Sequence, residues 1–199
     1  MITIGLTGSI ATGKSEVTKQ FAASGIPVFD SDAEVHELYA EKANIDAIGK
    51  MFPDVVVDGK IDRQRLGQRV LTSPEDLKKL EGLIHPVVKK SRERFISRWQ
   101  KKNCPMVVLD IPLVYETGAD RELDYVIVVS ANEDIMKKRA MSRPGMTQDK
   151  LTHILARQMP DSEKRSRADF IIENSGSMEQ LRSQVDILSK RLAELAGKH

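Results

Sequence analysis

The chain has 199 residues, with 31 Lys and Arg against 29 Asp and Glu, and so a formal net charge of +2. Charged residues make up 30% and hydrophobic residues 40%, which excludes an intrinsically disordered chain and is typical of a globular protein. The near-neutral balance creates no strong overall positive field, so we expect no nucleic-acid partner.

The single cysteine, Cys104, excludes an intramolecular disulfide and favours a reducing compartment. The apolar run at the N-terminus stops at Thr7 and Gly8, which is too short for a signal peptide. No segment approaches the roughly 18 apolar residues that a membrane-spanning helix needs. We therefore expect a cytoplasmic protein with no membrane partner, and no pattern indicates an obligate protein partner.

Five short β-rich runs alternate with amphipathic helical patterns along the chain. The apolar residues in these runs are continuous, as is typical of strands covered on both faces. This order predicts an α/β fold with a parallel sheet, flanking helices and right-handed crossovers. The predicted strands are residues 2–7, 26–29, 106–110, 125–129 and 170–172.

Two segments interrupt the alternation. Residues 31–103 have an almost entirely helical pattern that is too long for one crossover, which predicts a helical insert beside the sheet. Residues 132–168 form a second helical block, rich in Arg and Lys, which is either a lid or a set of ordinary surface helices. We predict a core of residues 1–30, 104–131 and 169–199, a helical domain of residues 31–103 and a lid of residues 132–168.

The strongest motif follows the first predicted strand, where residues 8–15 match G-x-x-x-x-G-K-[ST] completely. A strand–loop–helix of this kind forms a concave nest of backbone N–H groups and adds the positive end of a helix. Lys14 can reach the β- and γ-phosphates, and the Ser15 hydroxyl can ligate Mg²⁺. The motif predicts a P-loop that binds ATP through Gly8, Ile10, Ala11, Thr12, Gly13, Lys14, Ser15 and Glu16.

Carboxylates follow two of the other predicted strands. Asp110 ends an apolar run of the Walker B form and either holds Mg²⁺ through water or serves as a turn residue before Pro112. Asp32 belongs to an Asp-Ser-Asp triplet after the second strand, where it can deprotonate a substrate hydroxyl. Ser31 or Asp32 can also cap the helix that begins near Ala33, and one acid of the triplet can cap while the other is the base.

Two classes of P-loop protein are excluded because their signature motifs are absent from the sequence. No Asn is followed by Lys, so the guanine-reading N-K-x-D segment of GTPases is absent, and so is the signature of ABC-type ATPases. A compact P-loop kinase remains. Arg139 and Arg143 are four residues apart, which would place them on one helical face suited to triphosphate charge, although a solvated basic face has the same pattern.

Further segments make the chain resemble the dephospho-CoA kinase family over nearly its whole length. Asp110-Ile-Pro-Leu-Val-Tyr-Glu116 is similar to the family's D-x-P-L-L-F-E, and Asp30-Ser-Asp32 resembles its D-A-D acceptor motif. The resemblance also covers Gly5–Gly8, Asp58–Arg63 with Leu66, Leu83–Val87, Gln158-Met159, Lys164, Ala168-Asp169 and Asn174–Gly176.

This resemblance implies Mg²⁺-dependent transfer of the ATP γ-phosphate to the ribose 3′-hydroxyl of dephospho-CoA. It implies that the helical domain is the acceptor side, that Asp32 activates the hydroxyl and that Arg139 steadies the transferring group. It places Arg139 and Asn174 at ATP, and His85, Leu113 and Tyr115 with Asp32 at the acceptor. Two alternatives are a kinase for another small hydroxyl acceptor, such as shikimate or gluconate, and a non-catalytic nucleotide-binding switch.

Four residues depart from the family pattern. Ala11 replaces a loop glycine and Glu16 the usual Thr, while His36 and Met136 stand where Arg and Gln are common. The charges are also sorted along the chain. Residues 60–102 carry 13 basic and 5 acidic residues, and residues 133–167 carry 9 and 5. The two basic segments coincide with the predicted acceptor helices and lid, so we expect them to flank polyanionic substrates.

Overall fold

A computed structural model of the chain describes residues 1–198. In chain order its elements are β1 (Ile2–Gly8), α1 (Lys14–Ala23), β2 (Val28–Asp30), α2 (Ser31–Leu38), α3 (Lys42–Met51), β3 (Val56–Val57), β4 (Lys60–Ile61), α4 (Arg63–Thr72), α5 (Pro74–Lys101), β5 (Met106–Asp110), β6 (Tyr125–Ser130), α6 (Glu133–Met141), α7 (Gln148–Arg157), α8 (Asp161–Arg167), β7 (Phe170–Glu173) and α9 (Met178–Ala196). Short 3₁₀ turns lie at Pro53–Val55 and Ala119–Glu122.

The sheet has five strands in the order β2-β5-β1-β6-β7. The strand pairs β1–β5, β1–β6 and β6–β7 are parallel, and β1 lies at the centre of the sheet. All five predicted strands are present, so the α/β fold with a parallel sheet is confirmed. Because β1, β5 and β6 are parallel neighbours, their carboxyl ends meet at one edge of the sheet.

The first compact unit comprises residues 1–29 and the chain from Ile96 onward. Its apolar core joins the sheet to α1 and α9, and the helix α9 buries one apolar stripe against it. That stripe consists of Leu181, Val185, Leu188 and Leu192, with Leu195 partly buried against the same core. Burial of residues on both faces explains why the strands are continuously apolar.

The second compact unit comprises Asp30–Phe95 and has its own core. Helices α3, α4 and α5 contribute Ile48, Leu66, Leu80 and Ile84 to it, with Phe52 and Val55 from the connection after α3. The prediction of an almost entirely helical segment is wrong at one place, since β3 and β4 form an antiparallel hairpin. Asp58 and Gly59 at its turn both have positive φ, 49° and 72°, the geometry that Asp-Gly favours in two-residue hairpins.

The basic block of residues 132–168 contains three helices, α6, α7 and α8. A break separates the first two, because α6 ends at Met141 and α7 begins at Gln148. Arg143 therefore lies beyond the end of α6, and the expectation that it shares a helical face with Arg139 is wrong. The reason is local, since the proline that follows Arg143 disfavours helical backbone at that position. Among residues 1–198, no helix is both long and apolar enough to cross a membrane.

Candidate active site

The loop between β1 and α1 is held in shape by its own hydrogen bonds. Both the backbone N–H and the hydroxyl of Thr12 donate to the Ser9 carbonyl oxygen, at 3.3 and 2.9 Å. Gly13 has a φ of 97° directly before α1, and a Cβ on Gly8 would lie 2.5 Å from the Val129 carbonyl oxygen. The two motif glycines therefore allow the loop to turn tightly against β6 and enter the helix.

Asn174, directly after β7, holds this loop in place through a hydrogen bond to Thr12. Its amide Nδ2 donates to the Thr12 carbonyl oxygen at 2.8 Å, and its backbone N–H donates to the Ser130 carbonyl oxygen at 2.7 Å. The side chain is buried, and a Cβ on Gly13 would collide with its amide. The glycine at residue 13 is thus required twice, by its left-handed backbone and by the space that Asn174 fills.

Arg139 on α6 joins the same group. Its Nη1 donates to the Asn174 carbonyl oxygen at 2.8 Å, and the side chain is half-buried. The structure therefore brings three residues predicted at ATP, Arg139, Asn174 and Lys14, to one end of the first unit. Arg143, beyond the end of α6, is exposed.

Lys14, the first residue of α1, forms an ion pair with Asp110 at the end of β5. Asp110 is only 4% exposed, and its other oxygen, Oδ2, accepts a hydrogen bond of 2.7 Å from the Thr18 hydroxyl. The carboxylate of the predicted Walker B strand is thus buried beside the P-loop lysine. Thr18 was missed by the sequence analysis, because a threonine one helical turn after the lysine carries no signal of a partner 92 residues away.

Among the remaining loop residues, some are exposed to solvent and Ala11 is buried in an apolar cluster. Ser15 is exposed in the first turn of α1, while Glu16 accepts a hydrogen bond from Gln20 one turn along, at 3.3 Å. Ala11 has a φ of 60° and is buried in a cluster with α6 and α7 that contains Met136, Ala140 and Leu151. Two departures from the family pattern, at residues 11 and 136, thus lie in one cluster.

The segment after β5 is packed under α8. Tyr115 is 7% exposed, the guanidinium of Arg167 lies 4.4 Å from its ring centroid, and its hydroxyl has no hydrogen-bond partner among residues 1–198. Burial raises the pKa of Tyr115 to about 12, and the nearby Arg167 charge opposes that shift. Lys164 is fully buried and pairs with Glu116 at 3.0 Å. Leu113 in the same segment is half-buried.

Glu116 and Gln158 attach the segment before α8 to the rest of the unit. Glu116 Oε1 accepts a hydrogen bond of 2.7 Å from the Met159 N–H. Gln158 Oε1 accepts one of 3.0 Å from the Ile10 N–H, within the phosphate loop. Together with the Lys164–Glu116 ion pair, these contacts join three of the segments that carry the family resemblance.

The second unit holds the other predicted acceptor residues. Asp30 caps α2, since its Oδ1 accepts from the Ala33 N–H at 2.9 Å. The expectation that Ser31 or Asp32 caps this helix is therefore wrong, because the strand passes directly into the helix and α2 begins at Ser31. Asp30 is thus the capping acid of the triplet, and Asp32 lies in the first turn of α2.

Asp32 lines a cleft of about 400 Å³ inside this unit. The cleft is formed by residues of α2 and α4, by Tyr39 directly after α2 and by one residue of α5, and most of them are apolar. They are Asp32, Val35, His36, Tyr39, Arg63, Leu66, Gly67, Val70 and Leu80. Burial raises the pKa of Tyr39. The sequence analysis did not single out Arg63 as a site residue, and His85 lies exposed on α5.

The donors available for a metal ion are few. Among residues 1–198, no group of three or more His, Cys, Asp or Glu side chains is arranged to hold a metal. The Ser15 hydroxyl and the Asp110 carboxylate are the predicted ligands, and both are oxygen donors of the kind Mg²⁺ prefers. This sparse set fits Mg²⁺, which keeps several waters and takes substrate phosphate oxygens as ligands instead of a protein cage.

The chain is similar to known proteins over nearly its whole length. The family model for dephospho-CoA kinase matches residues 2–180. A dephospho-CoA kinase from Mesorhizobium japonicum is 46% identical over 198 residues, covering 100% of this chain and 98% of its own length. That from Brucella melitensis is 44% identical over 198 residues, covering 100% of this chain and 97% of its own.

Solved structures agree with the sequence comparisons. A crystal structure of a Thermus thermophilus protein has a TM-score of 0.80 at 36% identity, over 95% of this chain and 97% of its own. A dephospho-CoA kinase from Campylobacter jejuni has a TM-score of 0.73 at 27% identity, over 96% and 97%. Shikimate kinase from Acinetobacter baumannii shares only the fold, with a TM-score of 0.52 at 16% identity over 98% and 94%. The chain belongs to the dephospho-CoA kinase family.

Proposed function

We propose that this chain transfers the γ-phosphate of ATP to the ribose 3′-hydroxyl of dephospho-CoA and so produces coenzyme A. The observation that carries the proposal is the group formed by the P-loop, Lys14 and the buried Asp110, in a chain that belongs to a kinase family whose named members act on dephospho-CoA. ATP is the phosphoryl donor of that family.

ATP binds, in this proposal, at the loop of residues 8–13 and the first turn of α1. The phosphates contact Gly8, Ile10, Ala11, Thr12, Gly13, Lys14, Ser15 and Glu16. Backbone N–H groups of this set donate hydrogen bonds to them, other than those of Ile10, Thr12 and Glu16, which donate within the protein. Lys14 turns from Asp110 to the β- and γ-phosphates. Arg139 and Asn174 lie beside the loop, where the guanidinium compensates charge that develops on the transferring group.

The Ser15 hydroxyl and, through water, the Asp110 carboxylate would hold Mg²⁺. When bound, the ion neutralises charge on the β- and γ-phosphate oxygens and fixes their orientation. The protein's share of this work is to present one exposed hydroxyl and one buried carboxylate at the start of α1 and the end of β5. The remaining positions around the ion belong to water and phosphate oxygens.

The second unit supplies the base and a cleft for the acceptor in this proposal. The Asp32 carboxylate takes the proton of the 3′-hydroxyl as that oxygen forms its bond to the γ-phosphorus. The bond from the γ-phosphorus to the bridging oxygen breaks, and ADP leaves. The cleft that Asp32 lines accommodates part of dephospho-CoA, and His85, Leu113 and Tyr115 are the further residues we assign to acceptor binding.

The direct test is turnover with ATP, Mg²⁺ and a panel of acceptors. We expect ADP release and a new 3′-phosphate with dephospho-CoA, and only background ADP release with shikimate, gluconate or a nucleoside monophosphate. Turnover of another acceptor in place of dephospho-CoA would assign the chain to a different small-molecule kinase. Tight ATP binding without turnover of any acceptor would instead identify a nucleotide-binding switch.

A further inference from the structure

We propose that Thr18 is a positioning residue that holds the Asp110 carboxylate in place when Lys14 turns away to bind the phosphates of ATP. The inference rests on the nucleotide site of the proposed function. It assigns to this chain a residue that lies outside the P-loop motif and outside the motif that contains Asp110.

The two oxygens of Asp110 have different partners. Oδ1 is paired with the Lys14 ammonium, and Oδ2 accepts from the Thr18 hydroxyl at 2.7 Å. The hydroxyl also lies 3.0 Å from the Lys14 carbonyl oxygen, one helical turn back. A hydroxyl carries a single proton, and the charged carboxylate is the stronger acceptor of the two.

Asp110 cannot easily lose both partners. The residue is 4% exposed, and a buried carboxylate with no counter-charge or hydrogen bond is strongly disfavoured. If Lys14 moves to the phosphates, the pairing on Oδ1 is lost, whereas the bond from Thr18 to Oδ2 does not depend on the position of Lys14. The Thr18 hydroxyl therefore keeps the carboxylate oriented and leaves Oδ1 free for a water on Mg²⁺.

Because the two Asp110 oxygens have separate partners, we expect Thr18 to affect the gain in nucleotide affinity that Mg²⁺ provides. We do not expect it to affect the affinity measured without Mg²⁺. Without the ion, the backbone nest binds phosphate while Lys14 keeps its ion pair with Asp110, so this binding does not need Thr18. The bound ion, in contrast, depends on a carboxylate that is already in position. Deleting the hydroxyl removes a hydrogen bond to a charged group, an effect that corresponds to about tenfold to a hundredfold in an equilibrium constant.

The experiment compares nucleotide affinity with and without the metal. Isothermal titration calorimetry gives the Kd of a non-hydrolysable ATP analogue in Mg²⁺ and in EDTA, and the ratio of the two is the magnesium enhancement. We expect Thr18→Val, which is nearly isosteric, to lower that enhancement by at least about tenfold and to change the Kd in EDTA by less than about threefold. Thr18→Ser restores the hydroxyl and with it the enhancement.

Thr72→Val is the matched control. The Thr72 hydroxyl makes the same type of bond to the carbonyl one turn back, to Gln68 at 3.1 Å, but it lies exposed on α4 in the second unit. We expect this variant to match the wild type in both solutions. Circular dichroism and thermal unfolding verify that each variant is folded, and if Thr18→Val does not fold, Thr18→Ala deletes the same hydroxyl without adding a methyl group.

Three results would overturn the inference. They are an unchanged magnesium enhancement in Thr18→Val, an equal loss of affinity in Mg²⁺ and in EDTA, and a failure of Thr18→Ser to restore the wild-type ratio. The last two would assign Thr18 to the packing of α1. Failure of the proposed function has a different signature, because wild-type protein would then not phosphorylate dephospho-CoA whatever the ratio measured for Thr18→Val.

Discussion

The two compact units present their candidate sites by opposite means. In the first unit, the phosphate loop is held by buried polar contacts, from Asn174 to Thr12 and between Lys14 and Asp110. In the second unit, the cleft beside Asp32 is walled mainly by apolar side chains of packed helices. A charged ligand such as triphosphate requires fixed donors, whereas a mostly apolar wall depends on how well helices pack.

A group of ion pairs in the second unit lies nearer its surface. Arg69 donates to Asp54 at 2.5 Å and to Asp76 at 2.9 Å, and its guanidinium lies 5.0 Å from the centroid of the Phe52 ring. These contacts raise the pKa of Arg69, with the hydrogen bond to Asp76 the largest cause. Ion pairs as exposed as these contribute little stability. We therefore expect changes of polar contacts to matter most at the phosphate loop, and changes of buried apolar side chains to matter most beside the cleft.

Asp32→Asn should have the largest effect, because it removes a proton acceptor while preserving size. We expect kcat to fall about 10²–10⁴-fold with ATP affinity unchanged, since the nucleotide site lies in the other unit. Steady-state kinetics and ATP titration measure the two quantities. Asp46→Asn, an exposed change on α3 in the same unit, is the control. Retention of kcat in Asp32→Asn would show that Asp32 is not the base.

Ile48→Ala tests the packing that supports the cleft. Ile48 is fully buried, so the truncation should lower the free energy of unfolding by about 2–5 kcal/mol. We also expect a higher KM for the acceptor, measured beside urea unfolding. The matched change Ile187→Ala, at a side chain 66% exposed on α9, should cost less than about 0.5 kcal/mol. Equal effects of the two substitutions would contradict the importance of this core.

Gly13→Ala tests the polar architecture of the phosphate loop. Gly13 has a φ of 97°, and its new Cβ would also collide with the Asn174 amide. We expect a loss of roughly 2–4 kcal/mol of stability and weaker ATP binding.

Gly25→Ala isolates the backbone part of that effect. Gly25 has a φ of 78° but no atom within 4 Å of the added Cβ, so only strain of about 1–2 kcal/mol should result. Chemical denaturation of both variants gives the difference, which is the contribution of the contact with Asn174. If the two variants lose the same stability, that contact does not constrain the loop.

Tyr115→Phe should have the smallest effect at pH 7. The hydroxyl is buried without a partner, so its removal should leave the free energy of unfolding within about 1 kcal/mol of the wild type or raise it. At high pH the free energies of unfolding of the wild type and Tyr115→Phe should differ. The pKa of Tyr115 rises from 10.0 to about 12 on folding, so the associated stability is fully present below pH 10 and is lost as pH rises toward 12.

Chemical unfolding of the wild type and Tyr115→Phe between pH 9 and 12 measures how the difference in their free energies of unfolding changes with pH. We expect the variant to lose less stability across that range, with Tyr125→Phe, a half-buried tyrosine on β6, as the control. A wild type and variant with identical pH dependence would contradict the burial of the Tyr115 hydroxyl. A large fall in acceptor turnover at pH 7 would show that the hydroxyl itself contacts the acceptor.

Local signals predicted the strands and the phosphate loop well, whereas three other predictions made from local patterns were wrong. The β3–β4 hairpin was missed although Asp58-Gly59 is a strong turn signal, because the surrounding residues have helical patterns. The cap of α2 was assigned one or two residues late, since β2 passes into the helix at Asp30 without a loop. Arg143 was placed on α6, which ends before it.

The sequence by itself determined the parallel α/β fold, the P-loop, the carboxylate at the end of β5 and the family to which the chain belongs. These depend on contiguous residues, whose periodicity and spacing survive without knowledge of distant partners. Only the tertiary structure decided that Thr18 and Lys14 share the two oxygens of Asp110, that Asn174 fills the space beside Gly13, and that a cleft opens beside Asp32. Each of these joins side chains that are far apart along the chain, and no local pattern specifies which of them will meet.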